Sequence, residues 1–302
     1  MTLRVPTSTT YSRLERGLAV SLSRVQVLQG QLASQSRIAK LSDDPVGAAT
    51  GLTLRAQETN WAAYQRTADD ATANLGTTEG ALSTSSTLLI RIKELAVNAV
   101  SGANDSTARA ALGAEISDLR DQLVGIANTP HLGRAVFGGH RATAVAVDTS
   151  TSPPTYSYAG DSGKVSRQVS PSVTLTVNVD GQSLYGFDAG EGADLFSVLD
   201  RLETAVRGGD AAGIATAQDE LQVRTSAVTS ALGQIGAATN RVDSATELGR
   251  TVLDQLTTQR SQVEDVDLAA TVLRLQAAEN GYTAALGAVS RANLPSLADF
   301  LR

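Results

Sequence analysis

Asp43 and Asp44 stand side by side, the arrangement from which paired carboxylates do acid–base work, but Pro45 follows them directly. A helix cap with solvated charge accounts for that pair better than a catalytic dyad. Glu264, Asp265 and Asp267 could face a calcium ion, yet the glycine turn and distal glutamate of a calcium loop are absent. They read instead as a solvated or interface face. His131 and His140 are the only histidines, and no third ligand stands at metal spacing. Phe137-Gly138-Gly139 resembles a phosphate loop only until the missing Lys-Ser/Thr is noticed. It marks a sharp turn. Trp61 and Tyr64 sit at helical spacing and read as packing residues. The expectation is no catalytic set, no cofactor site, no metal site and no enzyme.

Composition agrees. The chain of 302 residues is 42% hydrophobic but 4% aromatic, so Ala, Val, Leu and Thr must fill its interior, which suits slim helix–helix contacts. The net charge is -6 with no basic stripe, which argues against nucleic acid. Cysteine is absent, excluding disulfides, thiolate zinc and a thiol nucleophile. Met1-Thr2-Leu3-Arg4-Val5-Pro6 lacks the basic and apolar regions of a cleaved signal, and no run is apolar enough to span a bilayer. Export, if it occurs, is expected without a cleaved signal, and no membrane partner is expected.

The elements are helical. Tyr11, Leu14, Leu18, Leu22, Val25, Leu28 and Leu32 recur at steps of three and four from about Ser8 to Ile38. Leu268, Val272, Leu275, Ala278, Tyr282, Leu286 and Val289 do nearly the same near the other end. Each seam must find a partner helix. Between them, Trp61, Tyr64, Ala68, Ala71, Leu75, Thr78, Leu82, Ser85, Leu89, Ile92, Ala96 and Ala99 hold a heptad seam for roughly five repeats. That helix is expected from Pro45 to Val100, about 80 Å long. Ser101–Ser106 breaks it, Ser106 or Thr107 caps the next, and Leu112, Ile116, Leu119, Leu123 and Ile126 fold it back as a hairpin.

From Val136 to Gly192 helical spacing gives way to Gly, Pro, Ser and Thr. Val173–Val179 alternates as a strand, with Asp180-Gly181 as a hairpin turn. Thr155–Tyr158 and Lys164–Val169 are weaker strands. Asp194–Gly208 is a short amphipathic helix. From Asp210 to Ser290 no proline intervenes, so one helix of about 120 Å is expected, its seam skipping a position at Gly249. The fold class is therefore mainly α, with long antiparallel coiled-coil helices from both termini and a small distal β-rich insertion. The expected domains are 1–42 with 262–302 for assembly, 43–135 with 193–261 as a helical rod, and 136–192 as a β-rich outer domain.

Several blocks carry a family likeness. Gln31–Ser34, Arg37-Ile38 and Ser42–Ala49 resemble the N-terminal signature of the flagellin superfamily. Leu89–Ala99, Glu115–Thr129 and Val136–Gly139 are similar to its next blocks. Val263–Ala269 and Ser296–Leu301 are similar to its C-terminal signature. One departure is Gln35-Ser36, where the family usually has glycine after the Ala-Ser pair. Asp43-Asp44-Pro45, Tyr158–Gly163 with Arg167-Gln168-Val169, and Ser296–Leu301 resemble the hook–filament junction members most.

The resemblance implies nested terminal coiled coils and an extracellular place in the bacterial flagellum, at the hook–filament junction. It implies type III export with a secretion chaperone, and a homo-oligomeric ring between a hook-side junction protein and flagellin. Leu14, Leu18, Leu22, Val25, Leu28, Leu268, Val272, Leu275, Tyr282 and Leu286 are the expected assembly residues. A filament flagellin is the nearest rival. A coiled-coil adhesin or signalling rod would need a membrane segment or signal. In the monomer, roughly the first and last 40 residues are expected to order only on assembly.

Overall fold

The computed structural model describes residues 7–100, 105–151 and 153–292. The element order is α1 (Thr7–Ser34), α2 (Pro45–Ala99), α3 (Ser106–Ala127), β1 (Pro130–His131), β2 (Arg134–Ala135), β3 (Val145–Asp148), β4 (Thr155–Tyr158), β5 (Ser166–Ser170), β6 (Val173–Thr176), α4 (Gly181–Tyr185), α5 (Leu195–Gly208), α6 (Ala211–Glu264) and α7 (Leu268–Ala292). The chain divides into two compact units, residues 1–60 with 252–302 and residues 61–251.

The larger unit holds the expected seam. From Ala68 to Ala99 every seam position of α2 is buried, Thr78 and Ser85 included. Both hydroxyls donate to the carbonyl four residues back, at 2.9 Å, so neither enters the core unsatisfied. On α6, Ile214, Ala217, Leu221, Val228, Ala231, Ile235, Val242 and Ala245 are the buried partners. Gly249 continues that row rather than interrupting it: it is buried, and an added Cβ would meet Gln65 Nε2 at 1.9 Å. Gln65 instead donates to the Thr246 carbonyl at 2.9 Å, and Lys93 to Gln222 at 2.6 Å, joining α2 to α6.

The third helix is capped by Asp105, whose side chain accepts from Ala108 N–H at 2.7 Å, not by Ser106 or Thr107. It reaches α2 through Arg91–Glu115 at 2.7 Å, but its most extensive packing is against α5. Ile116, Leu119 and Leu123 meet Leu195, Val198, Leu199 and Leu202 in one core. Asp194 caps α5 through Phe196 and Ser197 N–H, as its spacing suggests.

The β-rich insertion is three two-stranded antiparallel hairpins, β1–β2, β3–β4 and β5–β6. β4 has the expected bounds, while β6 stops at Thr176. Asp180-Gly181 is not a hairpin turn. The Asp180 carboxylate accepts from Gln182 N–H and starts the short helix α4. Phe137, Tyr185 and Phe196 form the aromatic centre, Phe137 meeting Tyr185 edge-on at 5.6 Å.

In the smaller unit α1 and α7 pack along each other. The uninterrupted helix expected over 210–290 is corrected here: α6 ends at Glu264 and α7 starts at Leu268. The break has no glycine or proline; residues from the other end of the chain make it. The expected 101–106 break falls largely outside the described residues, as do Met1–Pro6 and Ser296–Leu301.

Candidate assembly surface

Two interruptions, 35–44 between α1 and α2 and 265–267 between α6 and α7, lie against each other in the smaller unit. Ser36 and Asp265 form an antiparallel bridge. Arg37 N–H donates to the Glu264 carbonyl at 2.7 Å, and Val266 N–H to the Gln35 carbonyl at 3.1 Å. These bonds occupy main-chain groups that an unbroken helix would have paired internally. The Arg37 guanidinium then binds the Val263 carbonyl at 2.7 Å and Asp44 at 3.0 Å.

The carboxylates are structural. Asp44 accepts from Gly47 N–H at 2.8 Å and is the cap of α2; that bond, with Arg37 beside it, holds its carboxyl below the usual range. Asp43 turns back to accept from Lys40 N–H at 2.8 Å and Ala39 N–H at 3.2 Å. Asp267 caps α7 through Ala270 N–H at 3.0 Å. Glu264 is buried and receives Arg55 at 2.7 Å, with Arg260 at 3.7 Å. Gly51 makes room for it, since a Cβ there would stand 2.1 Å from Glu264 Oε1. Arg260 also binds Glu58 at 3.0 Å. The carboxylates of Asp43, Asp44, Glu264 and Asp267 are thus consumed in building the joint, and that of Asp265 accepts from Ser261 Oγ at 2.5 Å.

One residue of the joint was not recognised from sequence. Gln35 has φ 53°, the left-handed region that favours glycine. The signal was present: this is the position where the resemblance leads one to expect glycine.

The ten expected assembly residues separate by burial. Val25 and Leu28 are buried. Leu14, Leu18, Leu275 and Tyr282 are half-buried. Leu22, Leu268, Val272 and Leu286 remain exposed, between 39% and 48%, although α1 and α7 already cover each other. Val20, Val27 and Leu273 add to this uncovered apolar surface, which the seams did not include. A two-helix layer buries one side of each helix and leaves the other to solvent or to a neighbour.

The larger unit has its own polar clusters. His140 stands 3.4 Å from Asp161, whose Oδ1 accepts from His140 N–H and Gly163 N–H. Gly139, at φ 64°, allows this approach; a Cβ there would meet Asp161 at 2.1 Å. The Phe137-Gly138-Gly139 segment is therefore a turn held by a carboxylate. Arg120 is buried between Asp200, Glu203 at 3.1 Å and Asp121 at 3.1 Å, tying α3 to α5. Among the described residues no group of three or more His, Asp or Glu could hold a metal, and no helix is long and apolar enough to cross a membrane.

Two family models match the chain: the bacterial flagellin N-terminal helical region over residues 5–139, and the bacterial flagellin C-terminal helical region over residues 219–301. The flagellar hook-associated protein 3 of Escherichia coli is 25% identical over 294 residues, covering 89% of this chain and 90% of that protein. Its namesake in Salmonella typhimurium is 27% identical over 184 residues, covering 61% of this chain and 57% of that protein. The chain thus spans a little over half of the Salmonella protein in that match. In fold, it is similar to the crystal structure of the flagellar junction protein FlgL from Legionella pneumophila, with a TM-score of 0.58 at 17% identity over 71% of this chain and 99% of that one.

Proposed function

This chain belongs to the flagellin superfamily, a family of structural and not enzymatic proteins, and from that premise we propose that it is a structural subunit of the bacterial flagellum at the hook–filament junction. It acts by polymerising into a ring. The α1–α7 pair joins the tubular core, and Leu14, Leu18, Leu22, Val25, Leu28, Leu268, Val272, Leu275, Tyr282 and Leu286 pack there within and between subunits. Its neighbours are further copies, a hook-side junction protein and flagellin. It reaches them unfolded, through the type III apparatus with a chaperone.

The observation that carries this reading is the apolar surface that α1 and α7 leave uncovered after pairing, Leu22, Leu268, Val272 and Leu286 above all. The similarity to hook-associated protein 3, which runs through the β-rich region as well as the helical ends, supports the junction over the filament.

Deletion tests it. Loss of a junction subunit leaves hooks without filaments and flagellin free in the medium, whereas loss of a filament flagellin removes the filament protein itself. Leu18→Asp places a charge in the α1 seam and should block incorporation while leaving the 61–251 unit folded. Normal filaments on that variant would overturn the assignment.

A further inference from the structure

The hairpin β3–β4 has an edge that nothing covers. Its register pairs Val145 with Tyr158 and Val147 with Tyr156. Ala159 N–H donates to the Ala144 carbonyl at 2.9 Å, so the 144/159 position faces inward across the hairpin, although Ala144 N–H itself donates to Asn128 Oδ1 at 2.8 Å. Val145, the next residue, turns its main chain away from β4: its N–H donates to Asn128 Oδ1 at 3.0 Å and its carbonyl accepts from Asn128 Nδ2 at 2.8 Å. By the same alternation, Tyr158 and Tyr156 turn their N–H and C=O groups away from β3. Those main-chain groups have no partner among the described residues.

They face a groove of about 1430 Å³ that β4 lines and β3 does not. Its apolar wall is Tyr156, stacked on Phe196 at 5.4 Å, and Tyr158, 6.0 Å from Phe187. Burial pushes both tyrosine hydroxyls up to about 12, so they stay neutral. On the lip stand Asp188 and Glu191, exposed and without an ion-pair or hydrogen-bond partner among the described residues. Arg201, the one basic residue of the lining, is already bound to Glu220 and the Gly192 carbonyl. The groove therefore offers donors and acceptors at strand spacing, an aromatic floor and unanswered negative charge.

We propose that this groove binds an extended, basic peptide segment of a partner protein, which adds a strand to β4 through the main chains of Tyr156 and Tyr158 and sets lysine or arginine side chains against Asp188 and Glu191. Apolar side chains of the same segment alternate onto the aromatic floor. A second copy pairing edge to edge is disfavoured, because it would bring both acidic lips together. Pro154 at the start of β4 limits the added strand to a short one. The proposal rests on the fold of residues 61–251 and is independent of where the subunit sits in a flagellum.

The test uses the full chain and a fluorescein-labelled, acetylated Lys-Val-Lys-Val-Lys-Val peptide read by anisotropy. Saturable binding is expected, with slowed amide exchange at Tyr156 and Tyr158. Methylating alternate amide nitrogens of the peptide keeps its charge and removes its donors, and should weaken binding by about tenfold. The Asp188→Lys, Glu191→Lys double variant should weaken it by a similar factor. Equal binding of the methylated peptide, or of a Glu-Val counterpart, overturns the proposal. So does dimerisation that protects Tyr156 and Tyr158 and is not competed by peptide. The methylated peptide leaves the protein unaltered, so a variant that fails to fold does not spare the idea.

Discussion

The main-chain N–H of Arg37 donates to the carbonyl of Glu264 at 2.7 Å, across about three quarters of the length of the chain. Around this bond α1 gives way to α2 and α6 gives way to α7. Both interruptions are the same structure seen from two ends, and neither segment makes it alone.

Gln35 holds a left-handed backbone with a side chain that gains nothing from it. Gln35→Gly should stabilise the smaller unit by about 1 kcal/mol, since the strain of a non-glycine residue is removed. A rise in the thermal midpoint of that unit checks it; a fall would mean that the Gln35 side chain stabilises the joint in some other way.

Gly51 and Glu264 compete for one space. Gly51→Ala should cost about 1–3 kcal/mol by displacing the Glu264 carboxylate. Glu264→Ala should cost about 1–2 kcal/mol, discounted because Arg55 is more than half exposed. The double variant should cost less than the sum of the two, and denaturant titration of all three forms measures that coupling. Simple additivity would separate the two residues.

Acid should loosen the joint at Asp44. Its carboxyl is held below the ordinary range, chiefly by Gly47 N–H and then by Arg37. The stabilisation is therefore present above the unfolded value of about 3.9 and lost as pH falls through the lower folded value. Protection of the Gly47 amide, taken relative to its intrinsic exchange rate from about pH 5 down to about 2, should fall in that window. Asp44→Asn should flatten the response.

Arg120 concentrates the charge of the larger unit. Burial raises the Asp200 carboxyl and the Arg120 charge opposes that rise, so the acid depends on its partner to stay ionised. Arg120→Ala should destabilise this unit by about 3 kcal/mol at neutral pH. The raised acid then favours folding below its unfolded value and penalises it as pH climbs through the folded one. Adding Asp200→Asn should recover part of the loss, which calorimetry of the single and double variants can read.

The pairing of α1 and α7 leaves both helices partly uncovered, so their amides should exchange sooner than those of the α2 and α6 seams. Hydrogen exchange on the monomer measures this. Full protection at Leu18 and Leu275 would show that the ends need no neighbour.

The seam of α2 was legible because burial follows step size alone, and Thr78 and Ser85 satisfy their hydroxyls without leaving the helix. The Asp180-Gly181 turn misled because a short acid before glycine serves a cap as well as a hairpin, and tertiary packing chose the cap. The stop at Glu264 left no local trace. Val263 to Leu268 has nothing that forbids a helix, and the groups that end it come from residues 35–37. The expected assembly residues fall on two helices that do pack together, but the sequence does not tell which side stays open, since burial at Val25 and exposure at Leu22 depend on how α7 lies on α1.

The Ser36–Asp265 bridge also fixes an order of events. Residues 61–251 form a unit from consecutive chain, but the smaller unit joins residues on either side of it, 1–60 with 252–302. Until the latter emerge, α1 has no partner and the left-handed Gln35 no scaffold. A closure this distant in sequence is slow to find by chance encounter. The nascent chain therefore carries an unfinished α1 until the residues beyond 252 have been made, which is the interval in which a carrier can take hold of it before the two segments meet.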